Sequence, residues 1–398
     1  MISVDEAIKR IVAAFNPGAT EIVPISEGVG RVLAEDAHAR MDQPPFAVSA
    51  MDGYALRYAD ARKPGSLLTV IGTSPAGQPF LGQVGENQCI RIFTGGVMPD
   101  GTDTVVIQEN VQRSENHVQL NLAAEPNRHV RPAGLDFHNG DKLVAAGRRL
   151  TGRDLSLLAA GDLPELVVRR RPRIAIAATG DELTLPGAPK SKGAIVASSG
   201  YAIAAMIENW GGSAQYLGIV PDQEEAIGAL PERAREFDLL VTLGGASVGD
   251  HDLIQKALGP RGLEINFWKI AMRPGKPLLF GRIGTLPLLG LPGNPVSSVV
   301  CALLFLRPAI LAMLGQSWDR DRSYARLAAP LAANDGRQDY LRARYLHQNG
   351  EKQVIPMPIQ DSSMLSALAR AEILIVRPPY APAVEAGSLI EVLSLADV

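Results

Sequence analysis

The chain has 398 residues, of which 46% are hydrophobic and 20% are charged, a composition typical of globular proteins. Its 39 basic and 42 acidic residues leave a net charge of -3, which gives no electrostatic footprint for nucleic acid. One hydrophobic core rarely serves a chain of this length, so we expect two to four domains of about 100–150 residues.

Cys89 and Cys301 are the two cysteines of the sequence, and they lie far apart in no recognisable motif. Neither a disulfide framework nor a thiolate metal site is expected, which favours a reducing cytoplasm. The first residues are acidic and amphipathic, unlike a signal or transit peptide. The longest apolar run, 296–314, is interrupted by Arg307-Pro308 and predicts a buried core helix. We expect a cytoplasmic protein with neither nucleic acid nor a membrane as a partner.

Two helices are predicted in the N-terminal part of the chain. Residues 3–15 have apolar positions at the helical period, and Ser3 and Glu6 have capping-box spacing. A second helix is predicted over 153–160, with Gly161 as its C′ residue.

A small β-domain is predicted between these helices. From Pro44 to about Asp136, short β-like runs are separated by Gly, Pro and Asn. The runs are 67–72, 89–93, 104–108 and 117–122.

From Arg173 to Leu314, apolar strand-like runs alternate with helical segments, the pattern of a mostly parallel sheet with crossover helices. The predicted strands are 173–178, 214–220, 238–243 and 287–291, and the predicted helices include 201–209 and 224–235. From Tyr324 onwards the pattern becomes β-like again, which predicts a separate C-terminal β-domain.

The predicted fold class is multi-domain α/β plus β: a central α/β domain with a mostly parallel sheet, a small β-domain inserted N-terminally, and a C-terminal β-domain. The predicted boundaries are 1–45 with 137–168 for an N-terminal helical and extended domain in two segments, 46–136 for the small β-domain, 169–315 for the central domain and 316–398 for the C-terminal domain. The helix over 3–15 is a candidate to pack on the central domain.

Three polar loops directly follow apolar strands in the central region. They are Thr179-Gly-Asp-Glu-Leu183, Gly244-Gly-Ala-Ser-Val-Gly-Asp-His-Asp252 and Pro292-Gly-Asn-Pro-Val-Ser-Ser298. Ligands of open α/β sheets bind beyond the carboxyl ends of the strands, where loops meet helix N-termini. The loops therefore predict a site for an anionic ligand and a hard metal ion.

The glycine-rich loop and the loop before the apolar helix are candidate substrate-binding segments. Backbone N–H groups around a glycine-rich loop approach a ligand closely, which selects Gly244, Gly245, Ser247, Gly249 and Asp250. The loop has neither the P-loop ending nor G-x-G-x-x-G, so ATPase and dinucleotide readings lose support. In the other loop, Asn294 is a candidate N-cap, Pro295 suits the first helical position, and Ser297 and Ser298 follow in the first turn.

Acidic residues follow several of the predicted strands. Asp181, Glu182, Asp222, Asp250 and Asp252 each have an alternative explanation, because acids also cap helices and complement helix dipoles. Together they offer hard oxygen ligands, which suit Mg²⁺. Zinc is disfavoured, since the six histidines lack H-x-x-x-H spacing and no cysteine pair is present.

Lys269, Arg273 and Lys276 lie within eight residues beside a Pro-Gly turn. Scattered surface cations are the alternative, but the acidic loops of the same domain favour an oxyanion or phosphate pocket. In the N-terminal half, Ser49-Ala-Met-Asp-Gly-Tyr-Ala55 and Phe93-Thr-Gly-Gly96 are polar turns for which residue chemistry alone names no substrate.

These motifs, in this order, resemble the molybdopterin molybdotransferases, which are related to the E-domain of gephyrin. The series consists of Ser49-Ala-Met-Asp-Gly-Tyr-Ala55, Thr94-Gly-Gly96, Pro99-Asp-Gly-Thr-Asp103, Arg131-Pro-Ala-Gly-Leu-Asp136, Thr179-Gly-Asp-Glu-Leu183, Gly244-Gly-Ala-Ser-Val-Gly249, Pro274-Gly-Lys-Pro277 and Leu291-Pro-Gly-Asn-Pro295. The resemblance implies an elongated homodimer of four-domain subunits. It also implies Mg²⁺-dependent insertion of molybdate into adenylylated molybdopterin with release of AMP, and other cofactor-assembly proteins and molybdoenzymes are candidate partners.

The resemblance also implies roles for single residues. Glu182, Asp222 and Asp252 would bind the metal or the pterin-phosphate side, and Lys269, Arg273, Lys276, Pro292 and Pro295 would line the molybdate and phosphate pocket. Asp52, Thr94 and Asp136 match active-site positions that the family supplies from the partner subunit.

This sequence departs from the family pattern at three positions. Gly96 stands where Ala is usual and is expected to loosen its turn, and Arg273 stands where the family has a lysine. Glu372 stands where Asn is usual, which leaves open whether Arg342, Arg344 and Ser362 reach the site.

Two alternative functions are open: an enzyme that shares the central domain, and a protein of the same fold without turnover. One is an ATP-dependent molybdopterin adenylyltransferase, which needs only an α/β domain and would leave 1–168 and 315–398 unexplained. The other is a non-catalytic scaffold, which the acids at Asp52, Asp136, Glu182, Asp222 and Asp252 argue against.

Overall fold

The computed structural model describes residues 1–244, 251–318, 323–348, 350–396 and 398. It divides into two compact units, one of Ile22–Val168 and the other of Met1–Glu21 with Arg169–Val398. The start of the chain therefore belongs to the same unit as the central and C-terminal regions.

Helix α1 (Val4–Val12) opens the chain. The Ser3 hydroxyl caps it by accepting the Glu6 N–H at 3.2 Å, while the Glu6 carboxylate pairs with Arg10 Nε at 2.7 Å. The helix is shorter than the predicted 3–15, because Ser3 is the cap and the residues after Val12 form a turn. Its buried face is apolar, as the helical period predicts.

Short strands dominate the unit Ile22–Val168. The strands here and at its borders are β1 (Thr20–Pro24), β2 (Ala37–His38), β3 (Val48–Ser49), β4 (Gly53–Leu56), β5 (Leu67–Ser74), β6 (Gln88–Ile92), β7 (Thr104–Ile107), β8 (Val111–Ser114), β9 (His117–Leu120), β10 (Val130–Arg131), β11 (Lys142–Val144) and β12 (Glu165–Arg169). One six-stranded sheet has the order β7-β4-β6-β5-β9-β8, and β1–β12, β2–β11 and β3–β10 are two-stranded pairs. The four predicted β-like runs correspond to β5, β6, β7 and β9.

Helix α2 (Gly152–Ala160) begins at a complete capping box formed by Thr151 and Asp154. The prediction that Gly161 is the C′ residue is wrong, because Gly161 is the C-cap with φ -81°, and the residue after it, Asp162, has the left-handed φ of 62°. Glycine at 161 meets a packing need, since a Cβ there would lie 2.4 Å from Leu143 Cδ1.

The second unit contains an open six-stranded sheet with the order β16-β13-β17-β21-β20-β18. The strands of this region are β13 (Arg173–Thr179), β14 (Leu183–Thr184), β15 (Ile195–Val196), β16 (Ser213–Val220), β17 (Leu239–Leu243), β18 (Leu263–Trp268), β19 (Met272–Arg273), β20 (Leu279–Ile283) and β21 (Leu286–Leu291). β16, β13, β17 and β21 pair in parallel, whereas β20 pairs antiparallel with both β21 and β18. Every residue of β17 is buried, which explains its continuous apolar run.

Helices connect these strands or follow the last of them. They are α3 (Ser199–Asn209), α4 (Glu224–Gly228), α5 (Leu230–Arg233), α6 (His251–Leu258), α7 (Pro295–Cys301) and α8 (Arg307–Met313). The single helix predicted over 224–235 is two short ones, because Pro231 has no N–H to donate to the carbonyl of Ile227.

The apolar run 296–314 is one helical rod in which the π segment Ala302–Leu306 separates α7 from α8. Pro308 lacks the N–H that would bond the Leu304 carbonyl, and the wider turn precedes it. Pro295–Met313 is long and apolar enough to cross a membrane, yet 83% of its most apolar window is buried inside the protein. It contacts α1 and α3, as a core helix does.

The C-terminal strands form a ring. They are β22 (Ser323–Leu327), β23 (Gln338–Gln348), β24 (Glu351–Pro356), β25 (Ile373–Arg377) and β26 (Leu389–Ser394), with helix α9 (Leu365–Ala369) between β24 and β25. The sheet order is β19-β23-β24-β22-β26-β25, and β25 also pairs with β23. The second pairing closes the barrel, while β19 joins it to the central region.

The predicted fold class is confirmed. The central region has the mostly parallel sheet and crossover helices that the alternation of patterns predicts, and β-rich regions lie on both sides of it in sequence. The alternation of strand-like and helical segments predicted this fold class because strands buried on both faces and amphipathic helices have distinct sequence periodicities.

Candidate functional site

The carboxyl ends of the parallel strands lie at one edge of the central sheet, and the loops that follow them are joined there by hydrogen bonds. Gly180 N–H donates to the Val220 carbonyl at 3.3 Å, and Asp222 N–H donates to Asp181 Oδ1 at 3.0 Å. The loops after β13 and β16 therefore form one continuous rim.

Gly244, the first residue after β17, is the point at which three loops meet. It has φ 96°, and a Cβ there would lie 2.7 Å from the Thr179 carbonyl oxygen. Its N–H donates to the Leu291 carbonyl at 3.1 Å, and its Cα is 3.5 Å from the Cβ position of Gly293. Any side chain would separate the loops after β13, β17 and β21, so glycine is required.

The predicted metal ligands are only partly described. Glu182 and Asp222 are exposed on the joined loops after β13 and β16. Asp252 lies in α6, but its side chain is outside the described part of the structure. Within the described residues, no group of three or more His, Cys, Asp and Glu side chains is arranged to hold a metal ion. The predicted substrate-binding residues Gly245, Ser247, Gly249 and Asp250 also lie outside the described residues.

The loop after β21 leads into α7, with Asn294 as the predicted N-cap and Pro295 at the first helical position. The Asn294 side chain does not cap the helix; its Nδ2 donates to Ser362 Oγ at 3.0 Å. Ser362 also accepts the Val296 N–H on its carbonyl at 3.2 Å. A segment of the C-terminal region therefore satisfies one of the amide groups left free at the start of α7.

Pro292, at the start of this loop, and Ser298, in the first turn of α7, are held by a hydrogen bond to each other. The Pro292 carbonyl accepts the Ser298 hydroxyl, and Ser298 is fully buried. Ser297 is also buried, so the first turn of α7 is held rigidly against the sheet.

Arg342 in β23 organises the segment that carries Ser362. Its guanidinium is buried and donates to Gln360 Oε1 at 3.4 Å and to the Asp361 carbonyl at 2.8 Å. Burial lowers the pKa of Arg342, because desolvation disfavours the charged form. Arg344, in contrast, is exposed. Ser362 therefore contacts the loop after β21, and Arg342 holds the segment that carries Ser362.

The basic turn follows β18. Lys269 has φ 73°, a left-handed conformation that a side chain adopts only when surrounding contacts enforce it. Those contacts are the Lys269 N–H to the Leu278 carbonyl at 3.2 Å and the Ile270 N–H to the Lys276 carbonyl at 2.9 Å. Lys269 Nζ lies 3.7 Å from the centre of the Trp268 ring. The turn therefore holds Lys269 in a defined position, and Lys276 is exposed on it.

The same turn packs on α7 through Gly275, which has φ 102°. A Cβ at 275 would lie 2.4 Å from Cys301 Sγ, the last residue of α7. Burial raises the pKa of the Cys301 thiol, so this sulfur is an inert packing group. The basic turn and the helix that follows Asn294 are thus in direct contact.

Arg273 is held by two acids that the sequence did not reveal. Its guanidinium donates to the carboxylate of Asp339, and Asp335 Oδ2 is 3.7 Å from its Nη1. Hydrogen bonds from Arg337 are the main cause of a pKa of about 2 for Asp335, so that carboxylate is ionised at neutral pH. The sequence predicts β-structure from Tyr324 onwards, but nothing in that pattern indicates that residue 339 pairs with residue 273.

In the unit Ile22–Val168, Asp52 and Thr94 form a compact pair. Asp52 Oδ1 accepts both the backbone N–H and the hydroxyl of Thr94, each at 2.8 Å. These bonds, with the nearby charge of Arg91, hold the pKa of Asp52 below its ordinary value. Arg91 lies over the rings of Tyr54 and Phe93, at 5.3 and 4.6 Å from their centres.

Gly96 closes the turn that carries Thr94. It is buried, and a Cβ there would lie 2.3 Å from the Ser74 carbonyl oxygen. The expectation of a loosened turn is wrong for this chain, because the glycine permits a tight contact between the turn and β5.

Asp136 follows β10 and is exposed. Its N–H donates to the Gln43 carbonyl at 2.9 Å, and β10 pairs with β3, which directly precedes the Asp52 turn. Asp52, Thr94 and Asp136 therefore belong to segments that neighbour one another within this unit.

Comparisons with known proteins cover nearly all of these segments. The MoeA N-terminal region (domain I and II) matches residues 2–161, a probable molybdopterin binding domain matches 175–312, and the MoeA C-terminal region (domain IV) matches 324–395.

Several relatives are named molybdopterin molybdenumtransferase. The molybdopterin molybdenumtransferase of Haemophilus influenzae is 33% identical, with 98% of each chain covered, and that of Bacillus subtilis is 31% identical, with 98% of this chain and 94% of its own covered. That of Nostoc sp. is 39% identical over 75% of this chain and 71% of its own. Two solved structures of the MoeA protein from Pyrococcus horikoshii have TM-scores of 0.85 and 0.84, at 30% and 26% identity, and each covers 99% of this chain. The family resemblance read from the motifs is confirmed, and the chain belongs to the molybdopterin molybdenumtransferase (MoeA) family of molybdenum-cofactor biosynthesis.

Proposed function

We propose that this chain inserts molybdenum from molybdate into adenylylated molybdopterin and releases AMP. The observation that carries the proposal is the meeting of loops after β13, β16, β17 and β21 at one sheet edge, with the basic turn packed on α7 beside them. Relatives named molybdopterin molybdenumtransferase match the chain over almost its full length.

The basic turn supplies the positive charge that molybdate needs. Molybdate is a tetrahedral dianion, and a protein with a net charge of -3 must hold it by local cations. Lys276 is exposed, Lys269 is fixed by its backbone, and Arg273 is half-exposed beside them. We assign these three side chains to the oxyanion, together with Pro292, Asn294, Pro295 and Ser297 of the adjoining loop.

We propose Mg²⁺ as the cofactor, with Glu182, Asp222 and Asp252 as the residues that would hold it. All three offer carboxylate oxygens, the ligands that Mg²⁺ prefers, and the first two are exposed on loops that hydrogen-bond to each other. When bound, Mg²⁺ polarises a phosphoanhydride and offsets its negative charge. The chain's own part is to present these oxygens at the rim where the anionic substrate would lie.

We also propose a homodimer in which Asp52, Thr94 and Asp136 serve the site of the partner subunit. The Thr94 hydrogen bonds hold the pKa of Asp52 below its ordinary value, so Asp52 is a carboxylate at neutral pH, as an aspartate with the ordinary pKa would be, and its oxygens suit acceptance of hydrogen bonds from a substrate. A cytoplasmic location is proposed because both cysteines are buried thiols with no disulfide.

The direct test measures AMP released from adenylylated molybdopterin with molybdate present and absent. We expect release to require molybdate, and Lys276→Ala to lower kcat/KM by about 10²-fold, the usual effect of losing one electrostatic partner of a transition state. Lys63→Ala is the matched control, because Lys63 is exposed in the other unit and is expected to leave the rate unchanged.

The rival functions give different outcomes in the same assay. Pyrophosphate release from ATP and molybdopterin without molybdate would identify an adenylyltransferase. A folded protein that releases neither AMP nor pyrophosphate would be a scaffold. An unchanged rate in Lys276→Ala would remove the basic turn from the site.

A further inference from the structure

Arg273 is an anchored arginine. The short strand β19 pairs in parallel with β23, and this register places Arg273 opposite Asp339. The Arg273 guanidinium donates to Asp339 Oδ2. The Arg273 side chain is 47% exposed, whereas the Asp339 side chain is 4% exposed. The partly exposed Arg273 guanidinium is thus bound on its protein side by the buried Asp339 carboxylate.

A second carboxylate supports the same guanidinium. Asp335 Oδ2 lies 3.7 Å from Arg273 Nη1, and Asp335 is itself fixed by Arg337 through contacts of 2.7 and 3.0 Å. Its pKa of about 2 means that it carries a full negative charge at neutral pH. Two carboxylates therefore face the guanidinium, one buried and one exposed.

The burial of Asp339 makes the pair unlike an ordinary surface ion pair. Its Oδ1 is buried and has no hydrogen-bond partner within the described part of the chain. A buried carboxylate is costly unless it is paired, and an apolar residue at 339 would fill a barrel strand with less penalty. Stability alone therefore gives little reason for an aspartate at this position.

The geometry of arginine suggests what the acid does. A guanidinium has five N–H donors in a rigid plane, so fixing two of its nitrogens fixes the direction of the remaining donors. Lys269 and Lys276 act as point charges, but Arg273 binds an oxyanion well only when its plane is correctly oriented. The Asp339 and Asp335 contacts supply that orientation from the C-terminal barrel.

We propose that Asp339 is a positioning residue that orients Arg273 toward the tetrahedral oxyanion substrate, with Asp335 in a lesser supporting role. This inference rests on the proposed function of the basic turn. It assigns to the barrel a part in oxyanion binding that is separate from the contact of Ser362 with Asn294.

The sign of the effect distinguishes positioning from simple electrostatics. Asp339→Asn removes a negative charge close to the anion site, so long-range attraction alone would tighten molybdate binding. Positioning predicts weaker binding, because the guanidinium loses its fixed direction. We expect the Kd of molybdate, measured by calorimetry with molybdate alone, to rise about tenfold, a typical effect of losing one charge-assisted contact.

A double-mutant cycle with Arg273→Ala tests whether Asp339 acts through Arg273. We expect Asp339→Asn to lower kcat/KM for molybdate about tenfold in the natural chain and to have no further effect beside Arg273→Ala. If Asp339 had a merely structural role, the fold decreases in kcat/KM caused by Asp339→Asn and by Arg273→Ala would multiply in the double variant. Multiplied losses, or tighter molybdate binding in Asp339→Asn, would overturn the proposal.

Asp339→Glu and Asp154→Asn are the control variants. The first keeps the carboxylate and is expected to recover most of the lost kcat/KM. The second changes Asp154, another buried aspartate, which pairs with Arg148 in the other unit. Any decrease in kcat/KM caused by Asp154→Asn should multiply with the decrease caused by Arg273→Ala. If Asp339→Asn does not fold, Asp335→Asn replaces it in the cycle, since Asp335 is half-exposed. Coupling to Arg273→Ala then supports the proposal and multiplied losses overturn it.

Failure of the proposed function is separable from failure of the positioning role. If the natural chain releases no AMP with molybdate, the proposed function is refuted. The double-mutant cycle can then be measured with the Kd of molybdate instead of kcat/KM, and it still decides the role of Asp339. A natural chain that binds no molybdate contradicts both. An active natural chain with uncoupled variants contradicts the positioning role alone.

Discussion

Asp52 illustrates how a short turn sets the charge of one side chain. The backbone N–H of Thr94 is the larger cause of the lowered pKa of Asp52, and the Thr94 hydroxyl is the second. Both donors stabilise the carboxylate form. The Met-Asp-Gly and Thr-Gly-Gly motifs are therefore two halves of one structure, although 42 positions separate the paired residues.

Replacing Thr94 by Val should raise the pKa of Asp52 while leaving it below its ordinary value, because the backbone donor remains. NMR titration of the carboxyl carbon measures this. Since the folded pKa lies below the unfolded pKa, the two bonds stabilise the fold above the unfolded pKa and lose their effect as pH falls through the folded pKa. Thr94→Val should therefore lower stability at neutral pH and do so less in acid.

Asp36 is the internal reference for that titration. Its pKa is lowered by the Ala146 N–H and by Lys142, and Thr94 is not among the causes. Its titration should be identical in both proteins. An Asp52 midpoint that does not move in Thr94→Val would contradict the assignment of the hydroxyl bond.

Strand β4 shows how an element can depend on a single glycine. Gly53 lies between β6 and β7, and a Cβ there would be 2.1 Å from the Val106 carbonyl oxygen and 2.9 Å from Ile107 Cα. Neither atom can rotate away, because both belong to the backbone of β7. The glycine beside Asp52 is thus a requirement of sheet packing.

Gly53→Ala should destabilise the protein by more than about 2 kcal/mol, because β7 must move to admit the methyl group. Chemical denaturation monitored by circular dichroism measures the loss. Gly152→Ala is the control, since no atom lies within 4 Å of its Cβ position and alanine favours helix α2. Equal stability of the two variants would show that β4 and β7 are not packed as described.

Predictions of helix ends from capping residues and proline were correct where the end depends on residues next to it in sequence. Ser3 caps α1, Thr151 and Asp154 form a capping box, and Pro295 begins α7. They failed where packing decided the outcome: Gly161 is small because of Leu143, and the left-handed residue is Asp162. A glycine read from sequence does not reveal whether it serves a backbone angle or a close contact.

At the scale of the whole molecule, the proposed homodimer makes a prediction about mixed subunits. If Asp52 serves the site of the partner while Lys276 serves its own, a hybrid of Asp52→Ala and Lys276→Ala subunits has one intact site. Random mixing of two such chains should restore roughly a quarter of the natural AMP release, since half of the dimers are hybrids with one site each.

The matched control mixes Lys276→Ala with Arg273→Ala, whose residues lie on the same turn. No hybrid of these chains contains an intact site, so activity should stay at the level of the separate variants. Hybrid dimers confirmed by native mass spectrometry that show no recovery in the first mixture would contradict the shared site.

The sequence by itself determined the fold class, the central parallel sheet and the family, because strand and helix periodicities and the ordered motifs are local properties of the chain. Only the tertiary structure decided which distant residues contact the loop after β21 and the basic turn. Ser362 meets Asn294 across 68 positions and Asp339 meets Arg273 across 66. The second contact depends on the alignment of β19 with β23. Register between distant strands is set by packing of the whole unit, and no short stretch of sequence encodes it.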